Sequence, residues 1–181
     1  MFRPSHVSAA ALVLLTSCWI SSGEAQGAPA STPTPLPQVT ITRDDWGIAH
    51  VKGHTDADAV FGMIYAQAED DFNRVETNYL VSLGRLSEAA GEGESAIWQD
   101  LRQRLFLDPQ ILKADYARSP PWLQALMQSW AGGLNYFLAT HPNVHPRVLT
   151  HFEPWMALSF SEGSIGGDIE RVPLTQLQAF Y

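Results

Sequence analysis

The sequence predicts an α+β fold that is mostly helical and contains one β-hairpin. Two short β-branched runs flank a turn-rich segment, and two long runs carry apolar residues at helical spacing. A two-stranded sheet alone is only marginally stable in water. We therefore expect the hairpin to belong to a larger sheet, which residues outside this chain would complete.

The hairpin is predicted near the start of the folded region. Val39–Thr42 is rich in β-branched residues and predicts the first strand, and Ile48–Val51 predicts the returning strand. Arg43–Gly47 lies between them and is rich in turn-forming residues, with a glycine that tolerates a positive φ.

The first long helix is predicted to begin after Thr55, because Asp58 follows it at the spacing of a capping box. Gly84 is the predicted terminator. Apolar residues form one continuous helical stripe: Val60, Ile64, Ala68, Phe72, Val75, Tyr79 and Leu83. Charged residues in the same helix are interpreted as surface residues in local pairs such as Asp70 with Arg74, rather than as an acid–base site: Glu69, Asp70, Asp71, Arg74 and Glu76. A buried polar role at a subunit contact is the alternative.

Further helices are predicted after this one. Ile97–Leu107 carries two leucines, Leu101 and Leu105, on one face, and the prolines at 109 and 120–121 open two more helices. The second of these has a long apolar stripe: Leu123, Leu126, Met127, Trp130, Leu134 and Phe137. Leu174–Tyr181 begins another helix. Since a domain boundary rarely falls inside a helix, we expect the region 38–181 to be truncated at its C-terminus.

Composition limits the classes of function. The chain has 181 residues, of which 45% are hydrophobic and 17% charged, so it does not resemble a disordered protein. Its formal net charge is −8, and an acidic surface repels phosphate backbones. Nucleic acid is therefore not expected as a partner.

Residues 1–25 are predicted to be a signal peptide, because Arg3 precedes the apolar run Ala9–Leu15. This run is too short for a transmembrane helix, which needs ~20 apolar residues. Residues 26–37 are rich in Pro, Ser and Thr and predict a linker, so the domain occupies 38–181. The expected location is periplasmic or secreted, with no membrane span.

Cys18 is the single cysteine, so no internal disulfide is expected. It ends a Leu-Thr-Ser-Cys run that resembles a bacterial lipoprotein cleavage box, in which the cysteine carries the lipid. The alternative is an ordinary signal peptide cut near residues 23–25, which would discard Cys18. The mass of the mature N-terminus separates these two cases.

Two histidine pairs have a spacing of four residues, namely His50 with His54 and His141 with His145. On a helix this spacing would direct two imidazoles at one metal ion. A glycine or a proline lies inside each pair, so neither is expected on a regular helix. We interpret them as solvated loop histidines.

Five sequence motifs follow one another over nearly all of Val39 to Arg171: Val39–Val51, Asp58–Asp70, Gly84–Glu88, Ala131–Asn135 and Phe152–Trp155. Their residues and order resemble those of the penicillin acylase (penicillin amidase) family. Two departures stand out. Ala49 occupies a position where proline is usual, and an extra residue at Ala68-Glu69 precedes the aspartate of the family's Gly-x-x-x-Ala-Gln-x-Asp pattern.

This resemblance implies the N-terminal part of an αββα sandwich of the N-terminal-nucleophile hydrolases. Such a precursor cuts itself into an α chain and a β chain, and the first residue of the β chain is the nucleophile. The resemblance implies that this chain is α-chain-like, with its own β chain and an N-acylated small molecule as partners. No Ser-Asn pair, which marks the family's cleavage site, occurs in the sequence, so the chain is expected to hold no catalytic nucleophile.

The resemblance also implies site residues after the Glu-Pro-Trp motif. Those expected to contact the acyl group of the substrate are Ile165, Gly166, Asp168 and Ile169. Glu170, or alternatively Asp168, corresponds to an α-chain carboxylate that helps to bind a structural calcium ion, which prefers oxygen ligands. The alternative is that these acids pair with a neighbouring arginine or cap the next helix.

The function expected from the resemblance is hydrolysis of the amide bond of an N-acylated small molecule, such as a penicillin, an acyl-homoserine lactone or an acylated peptide. The alternative is an exported helical protein, with or without a lipid anchor, that binds a partner and catalyses nothing. Reading the gene beyond Tyr181 for a Ser-Asn pair and a second chain discriminates between them.

Overall fold

The computed structural model describes residues 37–160 and 172–181. They form the mostly helical α+β arrangement that the sequence predicts. The elements are β1 (Val39–Arg43), β2 (Ala49–Gly53), α1 (Asp56–Ser82), α2 (Glu94–Arg104), α3 (Pro109–Arg118), α4 (Pro121–Thr140), α5 (Leu174–Phe180) and two short 3-10 helices, Leu86–Glu88 and Pro154–Ser159. The predicted signal peptide and residues 26–36 of the predicted linker lie outside the described residues.

The hairpin is antiparallel, with Ile41 opposite Val51. Its turn is organised by the Asp44 carboxylate, which accepts the backbone N–H groups of Trp46 and Ile48 at 2.9 Å and contacts His50 Nε2 at 3.0 Å. The hydrogen bond with His50 and those from the backbone lower the pKa of Asp44 below its ordinary value of 3.8. The carboxylate therefore holds the turn at all pH values above 3.8, and this contribution is lost only as pH falls through the lowered pKa.

Helix α1 begins with the predicted capping box. Thr55 Oγ1 accepts the backbone N–H of Asp58 at 3.1 Å, and the Asp58 carboxylate accepts the backbone N–H of Thr55 at 3.0 Å. Gly84 follows the helix with a φ of 63°, which glycine adopts without steric cost. The predicted start and end of this helix are confirmed.

The prediction of an uninterrupted helix is wrong at Asp71, whose φ of −163° and ψ of 80° are not helical. The Asp71 carboxylate accepts the backbone N–H of Arg74 at 3.0 Å, as an N-cap residue does, so it starts a second helical half. The predicted pair of Asp70 with Arg74 is also wrong. Arg74 Nε contacts Asp71 at 3.1 Å, and Asp70 pairs with Arg43 at 2.8 Å.

The buried face of α1 differs from the predicted stripe after Phe72. From residue 64 to Phe72 the predicted stripe is buried. Beyond Phe72, Glu76 and Leu80 have 0% exposure, whereas the predicted stripe residues Val75 and Tyr79 are only half-buried. The buried positions therefore continue at steps of four, which the apolar pattern does not reveal because it moves from Phe72 to Val75.

The core lies between α1 and α4, and the predicted stripe of α4 is buried from Met127 to Phe137. The two helices approach closely at Gly133. A Cβ atom there would lie 2.5 Å from Ile64 Cγ2 and 2.8 Å from the Phe61 carbonyl oxygen. At the adjacent Gly132, the nearest atoms are 3.7 Å away on the Phe61 ring.

Helix α2 turns a different face to the core than the leucine spacing indicates. Leu101 and Leu105 are exposed, and Ala96, Asp100 and Gln103 are buried. The Asp100 carboxylate accepts the backbone N–H groups of residues 86 and 87, each at 2.8 Å. These hydrogen bonds join α2 to the first 3-10 helix through its Asp100 face, so Leu101 and Leu105 lie on the exposed face.

Replacing Gly133 with alanine should destabilise the protein, because the added methyl group overlaps the α1 backbone. Overpacking of this kind costs about 1–3 kcal/mol in the free energy of unfolding. Gly132→Ala is the matched control, and it should be neutral or stabilising by up to about 1 kcal/mol because alanine favours the helix. Urea unfolding of the purified protein measures both changes. Equal effects at the two glycines would contradict the close approach of α1 and α4.

Candidate functional site

The residues that the sequence assigns to the site lie outside the described part of the chain. Residues 161–171, with the expected acyl contacts Ile165, Gly166, Asp168 and Ile169 and the expected calcium ligand Glu170, are not described, and neither is Cys18. Across 37–160 and 172–181, no group of three or more His, Cys, Asp or Glu side chains is placed to hold a metal ion. The structure does describe residues 147–160, which lead directly to that segment.

The aromatic connector, residues 147–160, leads to this segment and is fixed by Asn135. The side chain of Asn135 donates to the Phe152 carbonyl oxygen at 2.9 Å and accepts the Phe152 backbone N–H at 2.8 Å. The Phe152 ring is 1% exposed and packs edge-on against Phe72, Tyr79 and Trp130. Asn135 and Phe152 belong to two of the five sequence motifs, and the fold brings those motifs into direct contact.

The second 3-10 helix carries the connector to α1. Ser159 is buried and its hydroxyl lies 2.8 Å from the hydroxyl of Ser82 at the end of α1. The next residue, Phe160, packs edge-on against Tyr79 with ring centroids 4.6 Å apart. The chain therefore enters the predicted substrate-contact segment from a defined position beside the second half of α1.

A buried carboxylate anchors the start of this connector. Glu76 has 0% exposure and accepts three consecutive backbone N–H groups, those of Arg147, Val148 and Leu149, at 2.7–2.8 Å. The interpretation of Glu76 as a paired surface residue is wrong, and a buried polar contact, here within the chain, is what the structure contains. Glu76 lies four positions after Phe72 and continues the buried face of α1, but no local pattern identifies the backbone groups of residues 147–149 that it binds.

An open cavity of about 220 Å³ lies at the break in α1. Its lining residues are Ile64, Gln67, Val75, Asn78, Tyr79 and Phe160. Ile64 is buried, whereas the two amide side chains are exposed and form the rim. Burial raises the pKa of Tyr79 above its ordinary range, so its hydroxyl stays neutral at physiological pH. No pattern in the sequence predicts this cavity.

The histidine pairs do not form metal sites in the described residues. His50 lies in β2 and bonds to Asp44, and His141 follows the last residue of α4. The His141 ring stacks on Phe137 with centroids 4.2 Å apart, so the interpretation of a solvated loop histidine is wrong at this position. As predicted, neither pair lies on a regular helix, so the spacing of four does not direct two imidazoles at one ion.

The buried serine pair does not have the arrangement of an activated nucleophile. Ser82 and Ser159 are hydrogen-bonded to each other, and no hydrogen bond joins either hydroxyl to a histidine or a carboxylate within the described residues.

Structural comparison identifies the class of fold. The chain is similar to the thermostable penicillin G acylase from Alcaligenes faecalis with a TM-score of 0.64, and the match covers 81% of this chain and 80% of that chain. At 18% sequence identity, this likeness shows the fold alone. The predicted fold class, a mostly helical part of an α+β N-terminal-nucleophile fold, is confirmed.

Sequence comparison identifies the family. The family model described as Penicillin amidase matches residues 38–171, which is more than half of the chain. The chain therefore belongs to the penicillin amidase family, and the resemblance carried by the five motifs is confirmed.

The relatives include two kinds of acylase. A penicillin acylase 2 proenzyme from Pseudomonas sp. (strain SE83) is 29% identical over 65% of this chain, and an acyl-homoserine lactone acylase QuiP from Pseudomonas fluorescens (strain Pf0-1) is 26% identical over 76%. Penicillin G acylase from Escherichia coli is 23% identical over 67%. The matches cover only 14–17% of the length of these relatives.

None of the described helices of this chain is long and apolar enough to cross a membrane.

Replacing Glu76 with glutamine should destabilise the protein, because an amide NH₂ group would face backbone N–H donors. Hydrogen bonds to a charged group contribute about 1.5–3 kcal/mol each, so we expect a loss of at least about 2 kcal/mol in the free energy of unfolding. The matched control is Glu94→Gln at the exposed start of α2, where we expect a loss below about 1 kcal/mol. Chemical denaturation measures both variants, and a Glu76→Gln protein as stable as the control would contradict the anchoring role.

Proposed function

We propose that this chain is the α-chain-like N-terminal part of an amidohydrolase that cleaves the amide bond of N-acylated small molecules. The observation that carries this proposal is the family match over residues 38–171. In the reaction, water adds across the amide bond and releases a carboxylic acid and an amine. The named activities of the relatives, on penicillins and acyl-homoserine lactones, favour substrates of this class.

In this proposal the chain supplies packing and acyl-pocket surface, and a β chain from the same precursor supplies the nucleophile. The described residues offer no activated nucleophile, and one relative is named a proenzyme. Trp46 and Ile48 at the hairpin turn are 89% and 59% exposed, which gives a second chain apolar surface to cover.

The proposed substrate contacts are Ile165 and Ile169 as an apolar wall, Gly166 as the residue that leaves space, and Asp168 beside them. Glu170, or Asp168, is the proposed calcium ligand. These assignments rest on the sequence resemblance after the Glu-Pro-Trp motif. The proposed location is periplasmic or secreted, with Cys18 as the site of lipidation if the lipoprotein box is used.

The function is tested with the full-length gene product and p-nitroanilides of acyl groups of increasing length. We expect release of p-nitroaniline, and we expect Ile165→Trp to reduce kcat/KM for the longest accepted acyl group about tenfold relative to the shortest, because the larger side chain fills the pocket. Ile111→Trp, at an exposed position of α3, is the matched control and should leave the profile unchanged. If the full-length gene product hydrolyses none of the anilides, the non-catalytic alternative is favoured. If Ile165→Trp leaves the acyl-length profile unchanged, the pocket assignment is contradicted.

Calcium binding is tested by thermal unfolding of the same product. A bound ion stabilises the folded state by mass action, so we expect a chelator to lower Tm and calcium to restore it. Glu170→Gln should lower Tm to the chelator value and abolish the response to calcium, with Glu94→Gln as the control that retains it. If neither the chelator nor Glu170→Gln changes Tm, the calcium proposal is wrong.

A further inference from the structure

Two buried hydroxyl groups form a contact that the proposed chemistry does not use. Ser82 ends α1, Ser159 ends the second 3-10 helix, and they are 6% and 2% exposed. The neighbours of Ser82 in the core include Leu80 and Leu83, which are also buried. Apolar side chains would fill this space without the cost of removing two hydroxyl groups from water. A hydrogen bond adds a narrow range of distance and angle, so the pair fixes the position of one chain segment against the other.

The donor of each hydrogen bond in this contact can be assigned. A serine hydroxyl carries one hydrogen. Ser82 Oγ lies 3.2 Å from the Tyr79 carbonyl oxygen, which can only accept, and 2.8 Å from Ser159 Oγ. Both hydrogens are used when Ser82 donates to Tyr79 and Ser159 donates to Ser82. In this arrangement Ser82 is the one acceptor of the Ser159 hydrogen among the described residues.

The end of α1 that receives this bond is itself held in place. The Gln103 side chain of α2 donates to the Ser82 carbonyl oxygen at 2.8 Å, and both residues are buried. Phe160, the residue after Ser159, packs edge-on against Tyr79 with ring centroids 4.6 Å apart. A series of contacts therefore runs from α2 through the end of α1 to Phe160. The proposed substrate contacts lie within residues 161–171, which directly follow Phe160.

We propose that Ser82 and Ser159 are positioning residues for the hydrolysis: their hydrogen bond holds the chain at Phe160 and thereby sets where the following residues meet the substrate. The inference rests on the proposed function and concerns two residues that touch neither the substrate nor the reacting atoms. Without the bond, the chain at Phe160 occupies more than one position, and only a fraction of the molecules can bind productively. The apparent affinity falls by that fraction, whereas the reaction of bound substrate is unchanged.

The positioning role is tested by the kinetics of the full-length gene product on an accepted p-nitroanilide. Ser82→Ala, Ser159→Ala and the double variant each remove the same hydrogen bond. The matched control is Ser119→Ala, which removes a hydroxyl that donates to the Asp115 carbonyl oxygen at 2.8 Å at the end of α3. We expect each of the three variants to raise KM about fivefold, the equilibrium factor of one ordinary hydrogen bond, and to leave kcat within about twofold. The control should keep the wild-type KM.

Two further measurements separate positioning from a loss of stability. Incomplete folding reduces the amount of active enzyme, which lowers the apparent kcat but not KM. In thermal unfolding, Ser82→Ala should lower Tm more than Ser159→Ala does, because only Ser82→Ala leaves a buried hydroxyl hydrogen without an acceptor. Hydrogen exchange followed by mass spectrometry should be faster in peptides that contain Phe160 in both single variants, and unchanged there in Ser119→Ala.

The outcomes separate this inference from the proposed function. If wild type hydrolyses the anilide but both single variants keep the wild-type KM, the positioning role is wrong and the function stands. The role is also wrong if the effects of the two substitutions on KM multiply in the double variant, since independent effects do not come from one shared bond. Unchanged exchange at Phe160 contradicts it as well. If wild type hydrolyses no anilide, the proposed function fails, and the positioning role that rests on it fails too.

Discussion

The buried carboxylate of Glu76 fixes the relation between α1 and the segment that leads to the predicted site. Removing a carboxylate from water costs several kcal/mol, and only a complete set of hydrogen bonds offsets that cost. Here the three donors are the consecutive backbone N–H groups of residues 147–149. Consecutive donors set both the position and the direction of a chain. One side chain therefore orients the entry to the Phe152 connector, and through it Phe160.

Close packing by two glycines keeps α1 at the centre of the described fold. A Cβ atom at Gly62 would lie 2.4 Å from Val39 Cγ2 and 2.7 Å from Val51 Cγ1 of the hairpin, and one at Gly133 would overlap α1 itself. The first half of α1 is thus held between the β-hairpin and α4. The second half also packs on α4, since the rings of Tyr79 and Trp130 have centroids 4.8 Å apart, and Glu76 binds it to residues 147–149.

The sequence predicts most of the fold and little of the site's surroundings. Local signals, such as the capping box of Thr55 and the helix end at Gly84, are decided by neighbouring residues, and the structure confirms both. The burial of Glu76 and Asp100 depends on backbone donors 71–73 and 13–14 residues away, which no local pattern contains.

The break in α1 is a cap rather than a π-bulge. A π-bulge widens one turn of a continuous helix, whereas the Asp71 carboxylate accepts the backbone N–H of Arg74 at 3.0 Å and begins the second helical half. A dry void of about 220 Å³ would cost roughly 5 kcal/mol at ~24 cal/mol per Å³, which few small domains tolerate. The cavity is open, so water relieves part of this cost but solvates an apolar floor poorly.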